Sequence, residues 1–254
     1  MARSRPGFRQ SVTALRAAQK PPRGVSYYSR LVNRPLGRLA AAACHQVGLG
    51  PHQVTMVSST LTVTAIVLLA TQRPSLPLAV AVSVLLALGF VFDAADGQVA
   101  RLTRRSSPFG EWHDHLADAV RQVSLHLAVA VAWFRFVDLP SDVWLLLPLG
   151  YAVIAVTLFS GTLLTDLLLR LAEASARGES HAGPALASPP VSAGGDRLRA
   201  VLLLPADSGV VALSFLAWGA TDVFRWVYLA MAAATLVLTV ALVIGWAARL
   251  RRVR

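Results

Sequence analysis

The sequence predicts an all-α polytopic membrane protein, with six transmembrane helices preceded by an amphipathic interfacial helix. Three observations carry that expectation. Of the 254 residues, 55% are hydrophobic and only 15% charged, below the roughly one quarter charged of an average soluble domain. Six segments supply the roughly 20 mainly apolar residues that a helix needs to cross a bilayer. The basic residues gather on one side of those segments.

Taken in order, residues 1–24 are basic and carry the breakers Pro6, Pro21, Pro22 and Gly24, so a disordered arm is expected there. Residues 25–48 read as the interfacial helix. Leu31, Leu36, Leu39 and Ala43 are expected to face lipid, with Arg30, Arg34 and Arg38 at the headgroups. Residues 49–249 form the expected catalytic domain of six spans, at about 53–72, 76–102, 109–136, 142–169, 198–220 and 223–248. The third reaches spanning length only if its acidic first turns count, because the apolar run 122–134 alone is too short. Between the fourth and fifth spans, 172–196 is rich in Ala, Ser, Gly and Pro and reads as a flexible loop. Residues 250–254 are a basic tail.

Charge sets the orientation. Twenty of the 24 Lys and Arg residues fall in the N-terminal arm, the junction of spans 2 and 3, the 4–5 connection or the tail. Only Arg73, Arg135 and Arg225 lie opposite, and Arg121 lies within a span. Both termini are therefore expected in the cytoplasm. The net charge of +11 is accounted for by topology and anionic headgroups, without a nucleic-acid partner. The single Cys44 excludes an internal disulfide and a cysteine-based metal cluster. No secretory signal is visible. Lys20 is the only lysine beside 23 arginines, a bias that points to a GC-rich bacterial genome and hence to the inner membrane.

Four carboxylates sit between apolar segments, where charge is costly and therefore functional by default. Asp93 and Asp96 are three apart near the end of span 2, and Asp114 and Asp118 are four apart near the start of span 3. Both spacings put the pair on one helix face. Two helices can thus present carboxylates to one point, a site for hard divalent cations that take oxygen ligands. Gly97 follows Asp93 by four and leaves room for a ligand, and Ala100 follows Asp96 by four. Gly110, Asp114 and Asp118 form one stripe, with Asp118 about 12 Å beyond Gly110 along the axis. The expected site is a cleft running from the cytosol into the bilayer.

The run Asp93-x2-Asp96-Gly97-x2-Ala100-Arg101-x8-Gly110-x3-Asp114-x3-Asp118 resembles, at all eight of its fixed positions, the signature of the CDP-alcohol phosphotransferase (CDP-alcohol phosphatidyltransferase) family. Gly50-Pro51-His52-Gln53-Val54-Thr55 resembles the Thr-Pro-Asn-x-Val-Thr opening of many members, with Gly50 for Thr and His52 for Asn. Tyr28–Pro35 resembles an interfacial helix of some bacterial and archaeal members.

The resemblance implies a membrane enzyme that moves a substituted phosphoryl group from a CDP-linked donor to an alcohol and releases CMP. It implies Asp93, Asp96 and Asp114 as ligands of Mg²⁺ or Mn²⁺, two ions in a clamp, and Asp118 as general base that also touches metal. It implies Gly97, Ala100 and Gly110 beside the cytidine nucleotide, and Arg101 on a phosphate or bracing the site. The expected donor is CDP-diacylglycerol, the acceptor a polar alcohol, the product a phospholipid, and the assembly a homodimer. The alternative is a soluble donor of the CDP-inositol type with a phosphorylated polyol acceptor. A non-catalytic scaffold would be expected to have lost a carboxylate, and a transporter leaves the glycine and arginine spacing unexplained.

Several residues keep two readings. Arg101 also fits an interfacial anchor, and Gly110 the end of the Ser106-Ser107-Pro108 turn. Arg121, three residues past Asp118, should face the cleft, to bind a substrate phosphate or neutralise the aspartates. Asp207 is a substrate contact or a partner for a basic group. His113 and His115 are two apart and point to different faces, so neither is counted as a ligand, and His126 reads as a packed polar residue.

Overall fold

A computed structural model describes residues 7–17, 25–104, 107–176 and 193–252. Among them there is no strand, as the sequence predicts. Helix α1 spans Phe8–Ala17. A π-helical turn at Ser29–Asn33 leads into α2, Arg34–Val47. The long helices follow: α3 Pro51–Thr71, α4 Leu76–Thr103, α5 Pro108–Phe136 and, after a 3-10 turn at Asp142–Leu145, α6 Leu146–Ala176. Then come α7 Ala193–Leu202, a 3-10 turn Leu204–Ala206, α8 Ser208–Ser214, a second turn Phe215–Gly219, and α9 Thr221–Leu250.

Local chemistry sets the boundaries. Ser75 caps α4 and Ser107 caps α5, each accepting a backbone N–H of the first turn, and each is followed closely by proline. The α2 helix ends at Gly48, whose φ of 87° is left-handed. Gly50 donates its N–H to Gln53 Oε1 at 2.8 Å, closing the start of α3.

The membrane expectation holds at a coarser level than six spans. Four helices, α3, α4, α6 with its preceding turn, and α9, are long and apolar enough to cross a bilayer. The fifth expected span is not straight: Ala200–Ala206 and Ser208–Gly219 meet at 53°. Pro205 removes a backbone donor and Asp207 starts a new helix by capping Gly209 N. The α5 helix has the length, 29 residues, but Glu111, Asp114, Asp118 and Arg121 in its first half keep its composition short of the others. The disordered reading of 1–24 is corrected over Phe8–Ala17: α1 is amphipathic and buries Ser11 and Leu15. The rest of that arm lies outside the described residues. Within 172–196, α6 continues to Ala176 and α7 begins at Ala193, since alanine-rich sequence favours helix; 177–192 lie outside the described residues. Leu31, Leu36, Leu39 and Ala43 are exposed along one side of the α2 region.

The α4 helix is the axle. Its apolar window is 44% buried, against 22% for α6 and α9, and it packs on α2, α3, α8 and the Phe215–Gly219 turn. Between lipid-solvated helices there is little hydrophobic drive, so small residues and interhelical hydrogen bonds hold the bundle. Ser58 Oγ of α3 donates to the Gly89 carbonyl of α4 at 2.8 Å, and a Cβ on Gly89 would strike Thr62. The α5 helix lies between α3 and α6, and α6 packs on α9. The main core joins Leu86, Phe90, Val129, Trp133, Phe224 and Tyr228. A smaller one seats Leu15 of α1 on Ala41, Cys44, Val54, Ala95 and Val99, beneath the end of α4 that carries the first aspartates.

Candidate active site

Asp93 and Asp96 stand on the last turns of α4, Asp114 and Asp118 on the first turns of α5. One ligand oxygen from each of Asp93, Asp96 and Asp114 falls within 4.8 Å of the others. A second triplet under the same limit joins Asp114 and Asp118 with a ring nitrogen of His115. Asp114 is common to both, so the four aspartates form one chain of carboxylates across the α4–α5 junction.

Each carboxylate is aimed by a neighbour. Asp96, 6% exposed, accepts from Thr55 Oγ1 of α3 at 2.7 Å and from the Gly97 backbone N–H. Arg121 reaches back along α5 to pair with Asp118, and its Nη1 lies 3.2 Å from Asp93 Oδ1. The Arg121 guanidinium also sits 4.6 Å over the Phe90 ring. Arg121 is thus paired with two of the four aspartates.

Gly97 leaves space beside Arg101, whose Nη1 would lie 3.7 Å from an added Cβ, so Arg101 folds back over the glycine. Its buried Nε has no hydrogen-bond partner among the described residues. Ala100 is half-buried one turn past Asp96. Gly110 lies in the first turn of α5, its N–H held by Ser107 Oγ at 3.1 Å, and a Cβ there would come 3.6 Å from His52 Cε1. His52 meets the Phe109 ring edge-on at 5.5 Å, and the His113 ring lies 6.2 Å from both.

Two residues at the aspartates are given no role there by the sequence. Thr55 enters only within the family-like opening, and only the α3–α4 packing brings it to Asp96. His115 was set aside because it is two from His113. Its spacing of three from Asp118 is the signal that places it on the same face. Asp207 pairs with no basic side chain among the described residues. It accepts from the Ser26 hydroxyl, from Ser29 Oγ at 2.6 Å and from Gly209 N at 2.8 Å. The Tyr28 ring lies where a Gly209 side chain would be, and burial, with Asp207 adding to it, raises the Tyr28 hydroxyl's pKa.

A cavity of about 570 Å³ adjoins the aspartates, lined by α5, α6, the start of α8, α9 and Phe90 of α4. Asp118, Arg121 and His115 line it, as do Arg170 and Arg249. Arg170 pairs with Asp166 and lies 3.8 Å from Glu111. Arg249 bonds the Gly245 carbonyl at 3.4 Å and has no acidic partner among the described residues.

The donor set fits a divalent metal: hard carboxylate oxygens converge from two helices. The chain is thus an all-helical protein with helices of membrane-spanning length and a carboxylate cluster, able to hold a cation, beside a cavity. The CDP-alcohol phosphatidyltransferase family matches residues 49–247, and the chain belongs to that family. Its members are phosphotransferases, so the chain is an enzyme using a CDP-alcohol. No curated protein sequence matches the chain.

Proposed function

We propose that this enzyme transfers the phosphatidyl group of CDP-diacylglycerol to the hydroxyl of a polar alcohol, releasing CMP, at the cytoplasmic face of a bacterial inner membrane crossed six times. The observation that carries the reading is the convergence of Asp93, Asp96 and Asp114, with Asp118 next in line at the cavity wall. A lipid donor is supported by the outer side of α5. There Phe109, Trp112, Leu116 and Val120 are exposed at the level of the aspartates, an apolar flank along which acyl chains can lie.

In this reading Asp93, Asp96, Asp114 and Asp118 hold Mg²⁺ or Mn²⁺, one or two ions, which when bound neutralise the pyrophosphate charge. Gly97, Ala100 and Gly110 leave the nucleotide room, and Arg101 meets a phosphate. Asp118 accepts the hydroxyl proton as the alcohol oxygen bonds to the phosphorus that carries the lipid and the bond from that phosphorus to CMP breaks. Arg121, bound to Asp93 and Asp118, keeps the two carboxylates apart and oriented.

A phosphorylated acceptor, or a soluble CDP-alcohol donor with such an acceptor, is the second reading. Arg249, at the cavity without an acidic partner among the described residues, favours an anionic group there. The test is incubation of purified protein with CDP-donors and alcohols, scored by CMP release and product mass. CMP release with CDP-diacylglycerol that stops in excess chelator and returns with Mg²⁺ or Mn²⁺ is expected. Full activity in chelator refutes the metal reading, and turnover with soluble CDP-alcohols alone refutes the lipid donor.

A further inference from the structure

The last turns of α4 carry two stripes of residues. Asp93, Asp96, Gly97 and Ala100 belong to the site. Phe92, Ala95, Val99 and Leu102 fall between them, at the i, i+3, i+7, i+10 spacing of one helix side. This second stripe packs in the smaller core, with Ala41 and Cys44 of α2 and Val54 of α3. Ala41, Val54, Ala95 and Val99 are each 0% exposed. Val54 directly precedes Thr55, and Ala95 directly precedes Asp96, the two residues joined at 2.7 Å. A close-packed interior transmits displacement, so whatever seats the second stripe also aims the first.

One side chain from outside these three helices fills that core. Leu15 of α1 is 1% exposed, and Ser11, one turn earlier on the same side, is 0% exposed. The opposite side of α1, with Arg9, Thr13 and Arg16, is exposed. With 10 residues, α1 is shorter than the roughly 12–15 at which a free helix is already marginal in water, so it owes its form to this docking. A helix that served only to hold the chain at the headgroups would turn its apolar side to lipid. Leu15 is turned into the protein instead. The α1 helix precedes the residues that match the family, 49–247, so membership of the family accounts for neither the helix nor its seat.

We propose that Leu15 is a positioning residue for the metal site: by filling the core between α2, α3 and α4 it holds Asp96 against Thr55, and so sets the affinity of the aspartates for a divalent cation. The proposal rests on the reading of Asp93, Asp96 and Asp114 as metal ligands.

The test is Mn²⁺ titration of the full chain in detergent, followed by electron paramagnetic resonance, beside the melting temperature. Leu15→Ala leaves a void that its neighbours fill only in part. It should raise the Mn²⁺ Kd by about tenfold, the lower end for loss of an orienting partner. Leu15→Met nearly conserves volume and should restore wild-type affinity. Leu15→Val, a smaller truncation, should fall between, and it serves if Leu15→Ala does not fold. Two comparisons separate positioning from general loosening. Val82→Ala opens a void in the main core, in the other half of α4, and should lower the melting temperature with Mn²⁺ affinity unchanged. On a Thr55→Val background, Leu15→Ala should cost no further affinity, because the bond through which it acts is gone. An unchanged Kd in Leu15→Ala and Leu15→Val, an equal loss in Val82→Ala, or full additivity with Thr55→Val overturns the proposal and leaves the metal site standing. If the wild-type chain binds no Mn²⁺, the metal reading fails and this proposal falls with it.

Discussion

Asp118 and Asp96 sit close together but are held differently, and that difference makes their roles separable. Asp118 is tied to Arg121 and faces the cavity, whereas Asp96 is 6% exposed and tied to Thr55. Asp118→Asn should retain donor binding, since Asp93, Asp96 and Asp114 still converge, and should lose turnover by about 10²–10⁴-fold as the proton acceptor goes. Calorimetric donor binding beside the rate of CMP release checks this; near wild-type turnover would refute the base assignment. Thr55→Val removes the hydroxyl that donates to Asp96. Loss of a partner that orients a ligand typically weakens metal affinity by about 10–100-fold. Mn²⁺ titration followed by electron paramagnetic resonance should report that weakening in Thr55→Val and recovery in Thr55→Ser. Equal affinity in all three would leave Thr55 as a packing residue.

At the scale of the element, the break before α8 has a structural purpose that composition does not reveal. Asp207 gathers two serine hydroxyls from the chain ahead of α2 and the Gly209 N–H in the first turn of α8. It thereby ties the N-terminal region to a wall of the cavity, where Ala206 and Ser208 are lining residues. Asp207→Ala leaves those donors unpaired and removes a helix cap, at a cost of about 1–3 kcal/mol. The melting temperature in detergent should fall, and the region around Tyr28 should become open to limited proteolysis. An unchanged melt and an unchanged cleavage pattern would mean that this tie contributes nothing. The α6–α9 contact depends on Gly161, where any Cβ would strike the Trp246 ring.

For the whole molecule, orientation rests on charge. Among cysteine substitutions on a Cys44→Ala background, Arg104→Cys should label from the cytoplasmic side, and Asp138→Cys and Asp222→Cys from the opposite side. Arg104 closes α4 in a left-handed, exposed turn, with φ at 55°, so a reagent can reach it. Labelling of Arg104→Cys from outside intact cells would reverse the topology. The same experiment tests α5 as a span, since it separates Arg104 from Asp138 in sequence. That helix reaches spanning length only with its charged turns, which needs the carboxylates and Arg121 to be turned inward, as the pairing of Arg121 with Asp93 and Asp118 does.

Spacing alone determined the aspartate faces, the family and the long helices, because helical periodicity and an apolar run of spanning length are local properties. The starts of α4 and α5 were legible for the same reason, in a serine cap and a proline. What lay beyond reach depends on contacts between distant segments. Thr55 meets Asp96 only because α3 packs on α4. Asp207 meets Ser26 and Ser29 across more than half the chain. The bend before α8 follows from Pro205 and Asp207 overriding an apolar run that reads as one straight span. The cavity is the clearest case. Its walls come from α5, α6, α8 and α9, and only the assembled bundle brings Asp118, Arg170 and Arg249 to one space.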